Sequence, residues 1–312
     1  MESKNRLKKR IRVWWIELLK LAVVLLIVFF VSFYFRIRST FSRWYPDPQK
    51  QSVHESNYRY FKEAYHPEDV QITTQDGLTL AGLLFNRSTA QRAILLVHGY
   101  HMTKEQMREF IDFFPQDIIL AIDLRGHGQS EGDVISLGYH EQKDVLAAVQ
   151  YLKTNSTTKD LPLYGLGTSM GSVALLCAAA QTDAFKGIII DSPFADFKDQ
   201  FVRSYKARTT LPDMPFLWLA RLFYYWTTDA RITDISPISC AEHIKTPVLI
   251  VHARNDSVTP FEDSERLYHA LKGKKELFSV ANAPHSEIFK NYWQQYQQRI
   301  QQFMQDTYVS KP

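Results

Sequence analysis

Residues Gly167 to Gly171 read Gly-Thr-Ser-Met-Gly and place a serine between two glycines. An apolar run, Leu161 to Gly165, precedes this segment, and a run of small residues, Ser172 to Ala180, follows it. A G-x-S-x-G sequence between a strand and a helix is typical of a nucleophile elbow, a turn so sharp that the neighbours of the serine must be glycine. The pattern therefore predicts that Ser169 projects from the end of a buried strand.

Two polar residues downstream follow strand-like runs of their own. Asp256 comes shortly after the apolar run Pro247 to His252, and His285 comes shortly after the run Lys275 to Val280. The chain order Ser169, Asp256, His285 is one of the known orders for a serine, acid and histidine that act together. We therefore predict that His285 activates Ser169 and that Asp256 orients His285.

Two backbone amides are candidates for an oxyanion hole. Ala93 to Val97 reads as a buried strand that leads into His98-Gly99-Tyr100, and Met170 begins the helix behind the serine. Amides in these two places can donate to the oxygen of a tetrahedral intermediate, and the positive end of the helix adds to the effect. We predict that the amides of Tyr100 and Met170 fill this role.

Other polar residues near these strands have structural explanations. We call the segment His98-Gly99-Tyr100 the oxyanion loop. We expect His98 and His127 to brace this loop and a neighbouring turn, and Asp123 to bind backbone amides of its own loop. His101 and His252 are read as incidental. None of these five residues is predicted to move a proton.

Together these motifs resemble the α/β-hydrolase family. The resemblance rests on His98-Gly99, Asp123-Leu124-Arg125-Gly126-His127-Gly128-Gln129-Ser130, the Ser169 segment, Asp191-Ser192-Pro193 and His285-Ser286. It covers about residues 68 to 308, and it is most similar to the serine aminopeptidase and monoacylglycerol lipase-like branch and to bacterial membrane-bound relatives. Asp191 also ends a strand and is the rival for the acid. The resemblance favours Asp256, because it implies an acid in the loop after the strand at 247–252, the strand that follows Asp191 in the chain.

The arrangement of apolar runs predicts the fold. A hairpin signal, Gln75-Asp76-Gly77, joins runs at 70–74 and 78–85. Six further apolar runs then alternate with helical segments, at 93–97, 118–122, 161–165, 187–191, 247–252 and 275–280. Such alternation indicates a mostly parallel sheet covered on both faces, so we predict an eight-stranded α/β-hydrolase fold.

The N-terminus reads as a membrane anchor. Residues 13–35 are apolar except for Glu17, Lys20 and Ser32, and as a helix they would span about 35 Å. The basic tail at 1–12 carries more positive charge than the segment after the helix, which predicts a cytoplasmic N-terminus and an outward-facing catalytic domain at 68–308. A cleaved signal peptide is the alternative, although residues 31–35 are bulky where a cleavage site requires small side chains. Residues 36–67 read as a spacer.

An insertion of about fifty residues separates the fourth and fifth of these alternating strands, longer than ordinary connections. It is dense in aromatic residues and is broken by prolines, which predicts a helical lid at about 194–240. Such a lid favours an apolar acyl substrate, although aromatic residues also serve simply to pack a lid on its domain. We expect Cys177 and Cys240 to be separate buried thiols, without a disulfide, because a strand and the lid lie between them.

These observations predict a membrane-anchored serine hydrolase that cleaves small-molecule carboxylic esters or thioesters through an acyl-enzyme, with no cofactor and no metal. Amide or peptide cleavage is the nearest alternative. A non-catalytic surface binding protein and a haloperoxidase-like or lyase-type relative are further alternatives. Composition and motifs carry no nucleic-acid signal: the net charge is only +4, and no zinc-ligand spacing or phosphate-binding loop is present.

Overall fold

The computed structural model describes residues 2–308 and, for residues 2–5 and 7, only the backbone. Met1 and the side chain of Lys4, both in the predicted basic tail, lie outside the described part of the chain. The helices are α1 (Glu2–Phe41), α2 (Pro48–Ala64), α3 (Arg108–Phe113), α4 (Glu141–Thr154), α5 (Met170–Ala179), α6 (Phe197–Arg208), α7 (Asp213–Thr228), α8 (Pro237–His243), α9 (Phe261–Ala270), α10 (Ile288–Asn291) and α11 (Trp293–Tyr308).

Eight strands form one sheet. They are β1 (Glu68–Thr73), β2 (Thr79–Phe85), β3 (Ala93–Val97), β4 (Ile118–Ile122), β5 (Leu163–Thr168), β6 (Phe185–Asp191), β7 (Val248–Ala253) and β8 (Lys275–Val280). Their order across the sheet is β1-β2-β4-β3-β5-β6-β7-β8, with β2 antiparallel to β1 and β4 and every other pair parallel. The predicted eight-stranded, mostly parallel α/β-hydrolase fold is confirmed.

Helices cover both faces of the sheet. Every residue of β3 and β4 is buried, as expected for strands that have no solvent-facing side. On one face the core includes side chains of α4, α5, α8 and α9, and on the other face those of α2, α3 and α11. β5 extends three residues beyond its predicted end, to Thr168, so Ser169 follows the strand directly.

The chain leaves the sheet between β6 and β7 and forms a helical insertion, defined here as residues 194–243, which contains α6, α7 and α8. Its aromatic side chains pack with one another and with the end of α1. Phe41 of α1 contacts Tyr224 of α7 with 4.8 Å between ring centroids, and Phe197 of α6 contacts the same ring at 5.3 Å. The insertion is therefore held between the sheet domain and α1.

Helix α1 is longer than the predicted apolar span and continues to Phe41. Among the described residues, the stretch Lys8–Phe41 is the one helix long and apolar enough to cross a membrane. Its most apolar 18-residue window has a mean hydropathy of 2.6, and only 6% of that window is buried. Length and composition alone fit a membrane anchor or a signal sequence.

The residues after α1 are joined to the sheet domain by hydrogen bonds. Ser42 forms a β-bridge with Val134, and the backbone amide of Arg43 donates to the carbonyl of Asp133 at 2.8 Å. The Arg43 guanidinium also donates to the carbonyl of Ser130 at 2.7 Å. The predicted spacer at 36–67 thus contains the last turn of α1, this bonded segment and helix α2.

Cys177 of α5 and Cys240 of α8 form a disulfide, which makes the expectation of two separate thiols wrong. That expectation took the intervening strand and insertion as a barrier between the two cysteines. The chain instead returns from the insertion across the outer face of α5, and α8 packs on α5 with the two Cα atoms 5.1 Å apart. Distance along the sequence does not limit contact where a long insertion closes on its own starting point.

Candidate active site

Ser169 occupies a strained turn between β5 and α5. Its backbone has φ of 50° and ψ of −118°, a conformation that L-residues rarely adopt and that is found where surrounding structure forces it. The turn packs tightly on the end of β3: a Cβ atom at Gly171 would lie 2.4 Å from the carbonyl oxygens of Val97 and His98. Only glycine fits there, and the serine side chain is left partly exposed.

His285 lies between Ser169 and Asp256 and bonds to both. Its Nε2 is 2.8 Å from the Ser169 Oγ, and its Nδ1 is 2.6 Å from the Asp256 Oδ2. A carboxylate can only accept, so Nδ1 carries the hydrogen and Nε2 is left to accept from the serine hydroxyl. The three residues come from the ends of β5, β7 and β8, and the fold brings them together in the predicted arrangement.

Hydrogen bonds from its own loop and from two histidines hold Asp256 ionised. The backbone amides of Val258 and Thr259 donate to its Oδ1 at 2.8 and 3.0 Å. Burial acts to raise the pKa of Asp256, but hydrogen bonds from His252 and His285 outweigh burial and hold the pKa below its usual range. A charged carboxylate in this position fixes the His285 tautomer and favours its protonated form.

His252, predicted to be incidental, contacts the acid. Its ring is buried, with Nε2 3.3 Å from the Asp256 Oδ2 and 2.9 Å from the carbonyl of Thr259. Its Nδ1 lies 2.6 Å from the Ser264 hydroxyl. The available signal was a histidine inside an otherwise apolar strand, four residues before the acid.

Asp191, the rival acid, bonds to Ser192 and Tyr296 and not to His285. Its carboxylate accepts from the Ser192 hydroxyl at 2.8 Å and from the Tyr296 hydroxyl at 2.9 Å. The Ser192 oxygen in turn accepts from the backbone amide of Ser286, the residue after the histidine. Asp191 thus supports the loop that carries His285 without bonding to the imidazole.

The two predicted oxyanion donors flank Ser169. Met170 is the first residue of α5, and Tyr100 follows Gly99, where a Cβ atom would lie 3.4 Å from the Ser169 Cβ. The Tyr100 hydroxyl donates to the carbonyl of Thr40 in α1. The loop that follows β3 therefore contacts the serine turn through Gly99 and α1 through Tyr100.

His98 braces the oxyanion loop, as expected, and Asp123 accepts from the backbone amide of Gln129 in its own loop at 2.9 Å, also as expected. His98 Nε2 accepts from the backbone amide of Leu124 at 3.0 Å, and its Nδ1 lies 2.7 Å from the carbonyl of Gly99. Burial lowers the pKa of His98 to about 4, so the ring is neutral. Asp123 accepts from the backbone amide of Lys104 at 2.8 Å and from its Nζ at 2.7 Å, and this buried ion pair was not predicted.

Comparison with known proteins agrees with this architecture. The chain is 32% identical over 217 residues to the uncharacterized protein YqkD of Bacillus subtilis, a match that covers 68% of this chain and 70% of that protein. It is 30% identical over 166 residues to a lysophosphatidylserine lipase of Danio rerio, covering 51% of this chain and 41% of the lipase. An esterase structure from Pyrococcus furiosus superposes with a TM-score of 0.67 and 22% identity, covering 85% of this chain and 96% of the esterase.

The model of the prolyl oligopeptidase family matches residues 118–309, a stretch that begins with β4 and includes Ser169, Asp256 and His285. The esterase likeness independently shows the α/β-hydrolase fold across most of the chain. The chain therefore belongs to the prolyl oligopeptidase family and is an α/β hydrolase.

Proposed function

We propose that this protein is a membrane-anchored serine hydrolase that cleaves carboxylic esters or thioesters through an acyl-enzyme on Ser169. The observation that carries the proposal is the continuous hydrogen-bond chain from the Ser169 Oγ through His285 to Asp256, at 2.8 and 2.6 Å. An alcohol at its ordinary pKa is a weak nucleophile, and this chain supplies the base that activates it. The match to the prolyl oligopeptidase family supports hydrolysis as the reaction.

The reaction follows from the positions of these groups. His285 Nε2 takes the hydroxyl proton as the Ser169 oxygen forms a bond to the acyl carbon, and the Asp256 carboxylate stabilises the imidazolium. Amides of Tyr100 and Met170 bind the resulting oxyanion, each contributing about 3 kcal/mol in comparable sites. The imidazolium then protonates the leaving alcohol or thiol. Water, deprotonated by His285, releases the carboxylic acid and restores the serine.

The bond that is cleaved is part of the proposal. The lipase relative from Danio rerio supports an ester, and the name of the prolyl oligopeptidase family supports an amide as the second candidate. The narrower resemblance to the serine aminopeptidase and monoacylglycerol lipase-like branch admits both. Graded p-nitrophenyl esters assayed beside aminoacyl p-nitroanilides separate the two, and a higher kcat/KM on the anilides would favour the amide.

Membrane anchoring by α1, with the sheet domain outside the cytoplasm, is supported by two further observations. Basic residues are denser before the apolar stretch than after it, as the positive-inside rule requires for a cytoplasmic N-terminus. The Cys177–Cys240 disulfide suits an oxidising compartment. Retention of α1, in place of cleavage as a signal peptide, is supported by the hydrogen bond between Tyr100 and Thr40.

A serine-reactive fluorophosphonate probe tests the proposal on the full-length protein in detergent. We expect the wild type to be labelled and to turn over a p-nitrophenyl ester, and Ser169→Ala to lose labelling and lower kcat by about 10⁶. Ser156→Ala, which changes an exposed serine, is the matched control and should label as the wild type does. Folded wild type that neither labels nor hydrolyses any ester or anilide would instead indicate a non-catalytic binding protein.

A further inference from the structure

The second half of α1 packs against α7 of the helical insertion. Phe29 of α1 lies 5.5 Å from Phe216 between ring centroids, and Phe33 lies 5.8 Å from Phe223. Both α1 residues belong to the apolar stretch at 13–35 that is proposed to cross the bilayer. The helical insertion therefore contacts α1 within the outer part of the proposed membrane span.

The outer surface of α7 has the composition of a membrane interface. Trp218 and Trp226 are exposed by 55% and 60%, and Met214, near the start of α7, is exposed by 72%. Tryptophan concentrates at the boundary between headgroups and hydrocarbon, because its ring is apolar and its N–H is polar. With α1 in a bilayer, these side chains rest in that boundary.

A cavity of about 670 Å³ lies between α1 and the helical insertion, within the range of pockets that hold small ligands. Its apolar wall includes residues of both α1 and the insertion, among them Phe33, Ile37, Phe41, Phe201, Tyr205 and Leu211. Since α1 supplies one wall, the cavity exists only while α1 stays attached to the domain.

This cavity adjoins the oxyanion loop, although Ser169 itself does not line it. Thr40 forms part of the cavity wall, and its carbonyl accepts the hydrogen bond from the Tyr100 hydroxyl. Tyr100 follows Gly99, which packs directly against Ser169. A path of contacts therefore joins the cavity to the nucleophile, from Thr40 through Tyr100 and Gly99 to Ser169.

Two guanidinium groups border the cavity without a carboxylate partner. In the described part of the chain, neither Arg36 nor Arg208 forms an ion pair, whereas Lys206 beside them pairs with Asp213 at 3.3 Å. Burial raises the pKa of Tyr100 to about 12 and the charge of Arg208 acts against that rise, so Arg208 also lies near the oxyanion loop. Unpaired guanidiniums above an apolar cavity suit an anionic group, phosphate above all.

We propose that this cavity binds the acyl chain of an anionic single-chain lipid ester taken from the membrane in which α1 sits, with Arg36 and Arg208 at its headgroup phosphate. The proposal rests on the ester hydrolysis proposed above and names the substrate class of that site. The apolar wall would bind the acyl chain, and the two arginines would bind the headgroup phosphate. The contact of α7 with the membrane-spanning part of α1 provides the route from the bilayer.

Filling the cavity tests the acyl-chain part. Ile37→Trp and Ser204→Trp introduce bulk from opposite walls, so that a folding defect in one does not decide the question. For each variant we expect the ratio of kcat/KM on the palmitoyl ester to kcat/KM on the acetyl ester of p-nitrophenol to fall about tenfold, since lost apolar burial acts only on the long chain. Phe35→Trp, on an exposed face of α1, should keep the wild-type ratio.

Removing the charges tests the headgroup part. In mixed vesicles that contain the full-length protein, we expect the wild type to prefer palmitoyl lysophosphatidylglycerol, which is anionic, over palmitoyl lysophosphatidylcholine, which is zwitterionic. Arg36→Gln and Arg208→Gln should each lower that preference about tenfold, as expected for one charged hydrogen bond, and should do so mainly through KM. Arg38→Gln, outside the cavity, should leave the preference as it is.

A photoactivatable palmitoyl lysophosphatidylglycerol separates failure of this inference from failure of the proposed function. On Ser169→Ala protein, where no turnover is expected, crosslinks should fall in peptides 29–41 and 201–211. Ser169-dependent turnover of acetyl esters, with crosslinks elsewhere and an unchanged chain-length ratio in both tryptophan variants, would overturn the cavity assignment and leave the hydrolase intact. Crosslinks in these peptides without any hydrolysis would overturn the hydrolase and leave the lipid site.

Discussion

Loss of the Cys177–Cys240 disulfide should lower the stability of the sheet domain and the helical insertion together. The bond joins α5, which begins directly after Ser169, to α8 at the end of the insertion, across a sequence separation of 63 residues. Closing a loop of that length in the unfolded chain corresponds to about 4 kcal/mol by the chain-entropy relation. For a domain of this size, about 1 kcal/mol shifts the melting temperature by roughly 2–4 °C, so we expect a decrease on the order of 10 °C.

The assay compares the wild type, Cys177→Ala/Cys240→Ala and the wild type with a thiol reductant, all in the same detergent. Melting is followed by tryptophan fluorescence and by residual ester hydrolysis. The reductant should reproduce most of the decrease seen in the double variant, and it should have no further effect on the double variant. Agreement between the two separates loss of the bond from loss of sulfur packing.

Thiol labelling decides whether the bond is present at all. Protein isolated with its free thiols blocked and then denatured should react with a maleimide only after reduction. Full labelling of both cysteines without reductant would refute the disulfide. A double variant that melts with the wild type, in spite of an oxidised bond in the wild type, would refute the stability argument.

Three other substitutions and a change of pH test the site. Asp256→Asn should lower kcat about 10⁴-fold in p-nitrophenyl ester assays, whereas Asp191→Asn should lower the melting temperature and cost less than about tenfold in kcat; the reverse result would reassign the acid. Gly171→Ala should destabilise the protein by about 3 kcal/mol or prevent its folding, because its methyl group would lie 2.4 Å from two carbonyl oxygens; an unchanged melting curve would contradict the close approach. Burial lowers the pKa of His98 to about 4 from its ordinary 6.5, so the neutral ring contributes fully to the free energy of unfolding above pH 6.5. As the pH falls this stability is lost, and the loss reaches about 3 kcal/mol near pH 4. A melting temperature that stays constant over this range would exclude a neutral buried ring.

The parts of the fold that the sequence predicts are those fixed by short-range pattern. β3 and β4 are predicted to the residue, because a parallel strand buried on both faces is a continuous apolar run with polar ends. The serine turn is also predicted from a local pattern, because a side chain at Gly171 would collide with the backbone of the turn's neighbours. Ser169, Asp256 and His285 then meet because the carboxyl ends of neighbouring parallel strands lie at one edge of the sheet.

The features that escape prediction depend on how distant segments dock. The disulfide needs α8 to return onto α5, and the cavity needs α1 to lie along the helical insertion. His252 reads as incidental because its contact with Asp256 arises only when the loop after β7 folds back over its own strand. No local periodicity encodes any of these three contacts.

Ser42 and Arg43, directly after α1, form hydrogen bonds with the turn at residues 128–134, so no flexible linker separates α1 from the sheet domain there. A hydrolase domain on a long flexible linker can reach substrates in solution or on a neighbouring cell. With α1 embedded in a bilayer, the sheet domain of this protein would be held at a fixed height and orientation relative to the membrane surface. Its working range would be confined to whatever its own membrane delivers to it.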